Sequence, residues 1–164
     1  MASTHNFGLG TAAPTGTGGP VRATSPTLVT PDIGAATASG QLSMADNLLS
    51  RPQLLDYSED VNAIGSIGGG TQDIDLVSGN VVTGTVDTSE TTFTFSNPPT
   101  SGDAGSFTLI LTNGGSQTVN WPASVDWAGG NAPELTAAGV DILVFTTIDA
   151  GTTWYGFAAA LDAQ

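Results

Sequence analysis

The chain has 164 residues, fifteen carboxylates against two arginines, and a formal net charge of −13. Phosphate backbones and anionic membrane surfaces repel such a chain, which counts against nucleic acid and membrane as partners. With no cysteine and one histidine, disulfides, thiol chemistry, thiolate metal sites and most nucleophilic catalysis are also out of reach.

Only 10% of residues are charged, so the surface is mostly Thr, Ser, Asn, Gln and Gly. That texture suits exposed β-structure. No basic segment followed by an apolar run marks a secretory leader, and no stretch reaches the roughly 18 apolar residues of a membrane span. The expectation is a protein that acts where it is assembled.

Residues 1–40 are rich in Thr, Gly, Ala and Pro. Their larger apolar residues after Met1 are Phe7, Leu9, Val21, Leu28, Val29 and Ile33. "TAAPTGTGGP" (11–20) has the composition of a flexible segment. "ATSPTLVTPDIGAATASG" (23–40) reads like strand material, yet Pro26 and Pro31 interrupt any ladder. So little apolar surface cannot offset the ordering entropy of the segment in one copy. The reading is an extended arm that docks on other chains. Fully extended, forty residues reach about 130 Å.

Residues 41–70 read as a connector. Leu48, Leu49, Leu54, Leu55 and Tyr57 are its apolar packing candidates. Pro52 forbids a continuous helix. A short helix around 52–62 and a strand pair are both open, and "GSIGGG" (65–70) reads as a hinge or tight turn.

From residue 71 the period becomes two. "QDIDLV" (72–77), "NVVTGTV" (80–86), "TTFTFS" (91–96), "SFTLILT" (106–112), "QTVNW" (117–121), "VDILVFTTI" (140–148) and "TTWYGFAAA" (152–160) are β-branched or aromatic runs. Turn sequences such as "SNPPTSGDAG" and "NGGS" separate them. The expected class is all-β: an antiparallel, jelly-roll-like β-sandwich over 71–164.

"FTLILTNGG" (107–115), "WPASVDWAGG" (121–130) and "GTTWYGF" (151–157) resemble a β-domain of tail-fibre and fibre-like virion proteins of tailed bacteriophages. The 23–40 segment resembles shaft sequences of those fibres. "LLSRPQLLDYSEDVNAIG" (48–65) resembles their shaft-to-head connector. The resemblance spans roughly residues 23–160, with a shorter shaft than is usual. It implies a homotrimer on the virion surface. Three copies of Leu28, Val29 and Ile33 around a threefold axis would supply the core and hydrogen bonds that one copy lacks.

Catalytic candidates are few. His5 sits in the polar arm without a held partner. Asp126 and Glu134 flank a Gly-rich loop beside Trp127, as in sugar hydrolysis, but they also read as solvated loop residues. Asp73 and Asp75 share one face of a strand, and Asp56, Glu59 and Asp60 cluster. Neither group has the ligand pattern of a calcium loop. "SIGGGT" (66–71) lacks the lysine and strand–loop–helix context of a phosphate cradle. Trp121, Trp127, Trp154, Tyr155 and Phe157 are candidates for core or trimer interface, with receptor contact as the alternative. In "TTWYGF", alternation sets Trp154 and Gly156 on one face, and Tyr155 and Phe157 on the other.

The expectation is therefore a non-enzymatic virion structural protein without cofactor or metal. It would be a short homotrimeric tail fibre, docked by its arm to tail or baseplate proteins and touching a host glycan or receptor with its β-domain. The alternative is a capsid decoration protein or head fibre whose arm staples neighbouring major capsid subunits. A carbohydrate-binding or depolymerase module is the third reading, and a cellular adhesin the least favoured. Copy number per virion separates tail from capsid.

Overall fold

The computed structural model describes residues Leu48–Ala163. Contacts divide the chain into Met1–Pro52 and Gln53–Gln164. Among the described residues there are nine strands, all in the second unit: β1 (Val61–Ile67), β2 (Gly70–Asp75), β3 (Val81–Val86), β4 (Thr91–Ser96), β5 (Gly105–Thr112), β6 (Val119–Asn120), β7 (Val125–Trp127), β8 (Val140–Thr147) and β9 (Trp154–Ala163). The remaining regular elements are three short 3₁₀ turns. The arm candidates Phe7, Leu9, Val21, Leu28, Val29 and Ile33, with His5, lie outside the described residues.

The strands form a six-stranded sheet, ordered β1-β3-β5-β8-β9-β7, and a three-stranded sheet, ordered β2-β4-β6. From β1 to β6 the chain alternates between them. Each strand therefore pairs with the strand two places on, and the pairs β1–β3, β3–β5, β2–β4 and β4–β6 are all parallel. A parallel neighbour requires a crossover connection, commonly a helix. Here the crossover is a strand of the opposing sheet. Only in the last third does the chain turn back, with β5–β8 and β8–β9 antiparallel. β7 then returns parallel to β9.

The class is all-β, but the sheets are mixed, and this corrects the antiparallel expectation. The physical reason is that period-two patterning reports which face of a strand is buried, not which strand lies beside it. Sequences such as "GSIGGG" and "VDTSE" look like hairpin turns. In the structure they are corners that carry the chain across to the other sheet. Gly68 occupies the first corner at φ 153°, and a Cβ there would lie 2.6 Å from the Ser89 backbone nitrogen. Only glycine fits where two stacked corners approach this closely.

The candidate helix around 52–62 does not form. The described residues before β1, 48–60, are without helix or strand, and the first described sheet residue is Val61. β1 lies inside the expected connector yet pairs along β3. Its sequence, "VNAIGSI", hides the strand pattern because of an irregularity between Ala63 and Gly65.

The core lies between the sheets. Ile67, Val82, Val86, Phe107, Leu109, Leu111, Leu143, Phe145 and Trp154 enter from the large sheet, and Ile74 and Phe93 from the small one. Strand β8 shows the logic: Asp141, Leu143, Phe145 and Thr147 are buried, and the residues between them face outward. Phe95 of β4 meets Phe107, Phe145 and Trp154 edge-on at ring distances of 4.9, 5.1 and 5.4 Å. Phe107 and Phe145 stack at 4.9 Å.

Asp141 is the one fully buried acid among the described residues. It accepts from Thr136 N and Thr136 Oγ1, each at 2.7 Å, and from Asp162 N at 3.1 Å. It thus ties the segment ahead of β8 to the end of β9. Its replacement by alanine orphans these donors, and a buried unsatisfied group costs roughly 1–3 kcal/mol. We expect Asp141→Ala to lower unfolding stability by about 3 kcal/mol in urea titrations, with Asp141→Asn costing less because its side-chain oxygen still accepts.

Candidate functional site

The outward face of the large sheet differs from the rest of this acidic chain. Across it runs the register row Val61–Val81–Thr108–Val144–Phe157. Beside it runs Ala63–Thr83–Ile110–Ile142–Ala160. Neither row contains a charged residue. Phe157 and Val61 are 52% and 56% exposed, and Tyr155 is 45% exposed. In a protein carrying −13, two adjacent charge-free rows form a face another surface can approach without desolvating carboxylates. Carboxylates stand at its margin: Asp126 of β7 pairs with Tyr155, and Asp162 lies near the end of β9.

The sheet edges, by contrast, are blunted against pairing. β1 carries its irregularity at Ala63/Gly65. β7 has three residues, and β6 has two with Pro122 close behind. β2 presents Asp73 and Asp75. Contact through a face is therefore favoured over strand addition at an edge.

The five aromatics divide by strand geometry. Trp154 is 1% exposed, in the core. Trp121 and Trp127 are half-buried and pack against the same core; Trp121 stacks on Phe93 at 5.2 Å and meets Trp127 edge-on at 5.3 Å. Trp127 lies over Gly156, where a Cβ would come within 2.7 Å of its ring. Tyr155 and Phe157 face outward. Trp127 therefore turns inward, and the aromatic beside Asp126 on the surface is Tyr155. This rearranges the sugar-stacking candidate built around Trp127, and Glu134 is exposed ahead of β8. Leu48, Leu49, Leu54, Leu55 and Tyr57 are all exposed.

The carboxylates are bound into the surface by hydroxyls and amides. Asp73 Oδ1 accepts from Thr94 Oγ1 at 2.7 Å, and its Oδ2 from Ser96 Oγ at 2.5 Å. These are cross-strand pairs that follow from the parallel register Asp73↔Thr94 and Asp75↔Ser96. Asp75 accepts from Asn97 Nδ2 and Val77 N, and in that order these bonds hold its carboxyl below the ordinary range. Ser66 and then Thr88 lower Asp87, bracing a corner. The Thr153 backbone N–H, and more weakly Thr147, lower Asp149, fixing the β8–β9 turn. Among the described residues no group of three or more His, Cys, Asp or Glu side chains is placed to hold a metal ion. No described helix is long and apolar enough to cross a membrane.

Sequence reasoning placed Tyr155 and Phe157 together on one face but missed the rest of the rows. Val61, Val81, Val144 and Phe157 become neighbours only through pairing register. No known protein family, curated protein or solved structure matches the chain.

The three lowered aspartates contribute to the acid response. A carboxyl whose folded pKa lies below its unfolded value stabilises the fold above the ordinary value near 3.9, and that contribution is lost as pH falls through the folded pKa. We expect the thermal midpoint to fall below about pH 4. In Asp87→Ala, which removes one such group, that acid-induced drop becomes smaller when followed by circular dichroism.

Proposed function

We propose that this chain is a bacteriophage virion structural protein. On this reading it is a short homotrimeric tail fibre, docked by residues 1–40 and presenting its β unit to the host surface. The observation that carries the reading is the pair of charge-free rows on the outer face of the six-stranded sheet, with Phe157 and Tyr155 exposed there. A like-charged copy of the chain can meet that face without opposing carboxylates. Two further features support assembly. Leu54, Leu55 and Tyr57 are exposed ahead of the sheet, and exposed large apolar side chains mark interaction surfaces. The phage-fibre resemblance of "FTLILTNGG" and "GTTWYGF" points the same way. Receptor contact then falls to the loops and margins that the interface leaves open.

The oligomeric state tests the interface. The full chain should sediment as a trimer. Phe157→Asp places a charge in the apolar row and should give a monomer with an unchanged far-ultraviolet spectrum, because burying an unpaired charge is costly. A wild-type chain that sediments as a monomer at high concentration removes this reading.

Deletion of residues 1–40 tests docking. The shortened chain should still show the cooperative unfolding of the β unit, but it should be missing from purified virions. Quantitative mass spectrometry of those virions should find a few trimers per particle. Dozens or hundreds of copies would move the assignment to capsid decoration.

A further inference from the structure

Asn97 leaves β4 and precedes Pro98 and Pro99 on the way to β5. Its φ is 53°, in the left-handed region, which asparagine enters more readily than most non-glycine residues. A following proline restricts the backbone further, because its ring crowds the preceding residue. Contacts hold both sides of this peptide bond. Asn97 Nδ2 donates to Asp75 Oδ1 at 2.8 Å. Pro98 packs on Gly151, where a Cβ would lie 3.1 Å from Pro98 Cγ, and Pro99 covers Gly105, where a Cβ would lie 2.5 Å from Pro99 Cδ.

Proline also decides which chemistry is open to the asparagine. The common ring closure of asparagine is attack by the next residue's backbone nitrogen on the side-chain carbonyl. Pro98 has no N–H, so that route is closed. Asn113, followed by Gly114, retains it. At Asn97 the remaining closure runs in the opposite sense, from the side-chain nitrogen onto the backbone carbonyl carbon.

The geometry points to self-cleavage of the Asn97–Pro98 peptide bond by asparagine cyclisation, with the Asp75 carboxylate as proton acceptor. A bond forms between Asn97 Nδ2 and the Asn97 carbonyl carbon as one Nδ2 proton passes to Asp75 Oδ1. The bond from that carbon to the Pro98 nitrogen breaks, and the nitrogen keeps the electron pair. The proton held by Asp75 passes to the Pro98 nitrogen, which leaves as a secondary amine. No water or other co-reactant is consumed. The products are residues 1–97 ending in a succinimide and residues 98–164 beginning at Pro98. Asp75 is a carboxylate at neutral pH, as aspartate ordinarily is, and it already accepts from this amide. Asp75 reaches the site because β2 and β4 run parallel, with Asp75 opposite Ser96, the residue before Asn97.

Cleavage here leaves the fold assembled. β3 on one product pairs with β5 on the other, and Phe95 stays packed against Phe107, Phe145 and Trp154. The inference does not depend on the virion assignment.

The test is incubation of the purified full chain at neutral pH, followed by intact-mass analysis under denaturing conditions. Two fragments should accumulate, the first lighter by one water than a hydrolysed 1–97 chain. Asn97→Ala should stay whole, as should Asn97→Gln, which keeps the amide but cannot close the same ring. Asp75→Asn should slow the reaction at least about 100-fold, the lower end for a positioned proton acceptor. Circular dichroism should show the β-spectrum in each variant. A wild-type chain that stays whole overturns the proposal, as does a 1–97 fragment carrying the added water from its first appearance. Should Asp75→Asn not fold, cleavage of Asn97→Gln at the wild-type rate would also overturn it.

Discussion

The fold depends on packing aromatic rings between two sheets that the chain visits in turn. Phe95 from the small sheet stands edge-on against Phe107, Phe145 and Trp154 from the large one. Each time the chain crosses from one sheet to the other between β1 and β6, it adds one strand to the sheet it enters. The two sheets are built together, because in the pairs β1–β3, β2–β4, β3–β5 and β4–β6 the crossover is a strand of the opposing sheet. Burying a ring of this size is worth several leucine methylenes, and edge-on pairs add about 0.5–1.5 kcal/mol beyond area. The rings therefore offset much of the entropy of ordering corners that are rich in glycine.

This interleaving has consequences at the surface. With their inner faces committed to the core, the strands hold their outer faces in a regular register. On the large sheet that register aligns valine, threonine and phenylalanine into charge-free rows. On the small sheet it aligns Asp73 and Asp75 with Thr94 and Ser96, which hydrogen-bond Asp73. The parallel pairing of β2 with β4 also brings Asp75 to Asn97. One architecture thus yields an apolar face suited to assembly, an acidic face kept in solvent, and an Asn–Pro peptide beside a carboxylate.

Much of this was legible one strand at a time. Alternation in "TTWYGF" separated Trp154 from Tyr155 and Phe157, and the structure buries the first and exposes the other two. Alternation in "VDILVFTTI" puts Asp141 on the buried side of β8, a signal present in the sequence but overshadowed by the acid's polarity. β1 was hidden because Gly65 and the irregularity beside it break the period. β7 was hidden because three residues are too few to establish one. Trp127 looked like a surface platform beside Asp126; its inward turn depends on the missing side chain of Gly156, which no local pattern reveals.

Residue order was enough to specify the all-β class and the central strands, because those follow from a two-residue period and β-branched composition. Strand partners were a matter for the folded chain. Whether neighbours in sequence lie side by side or on opposite sheets is settled by how the aromatic core packs, and that depends on contacts between residues far apart in the chain. The apolar rows and the Asp75–Asn97 contact follow from that pairing, since both are made of residues from different strands.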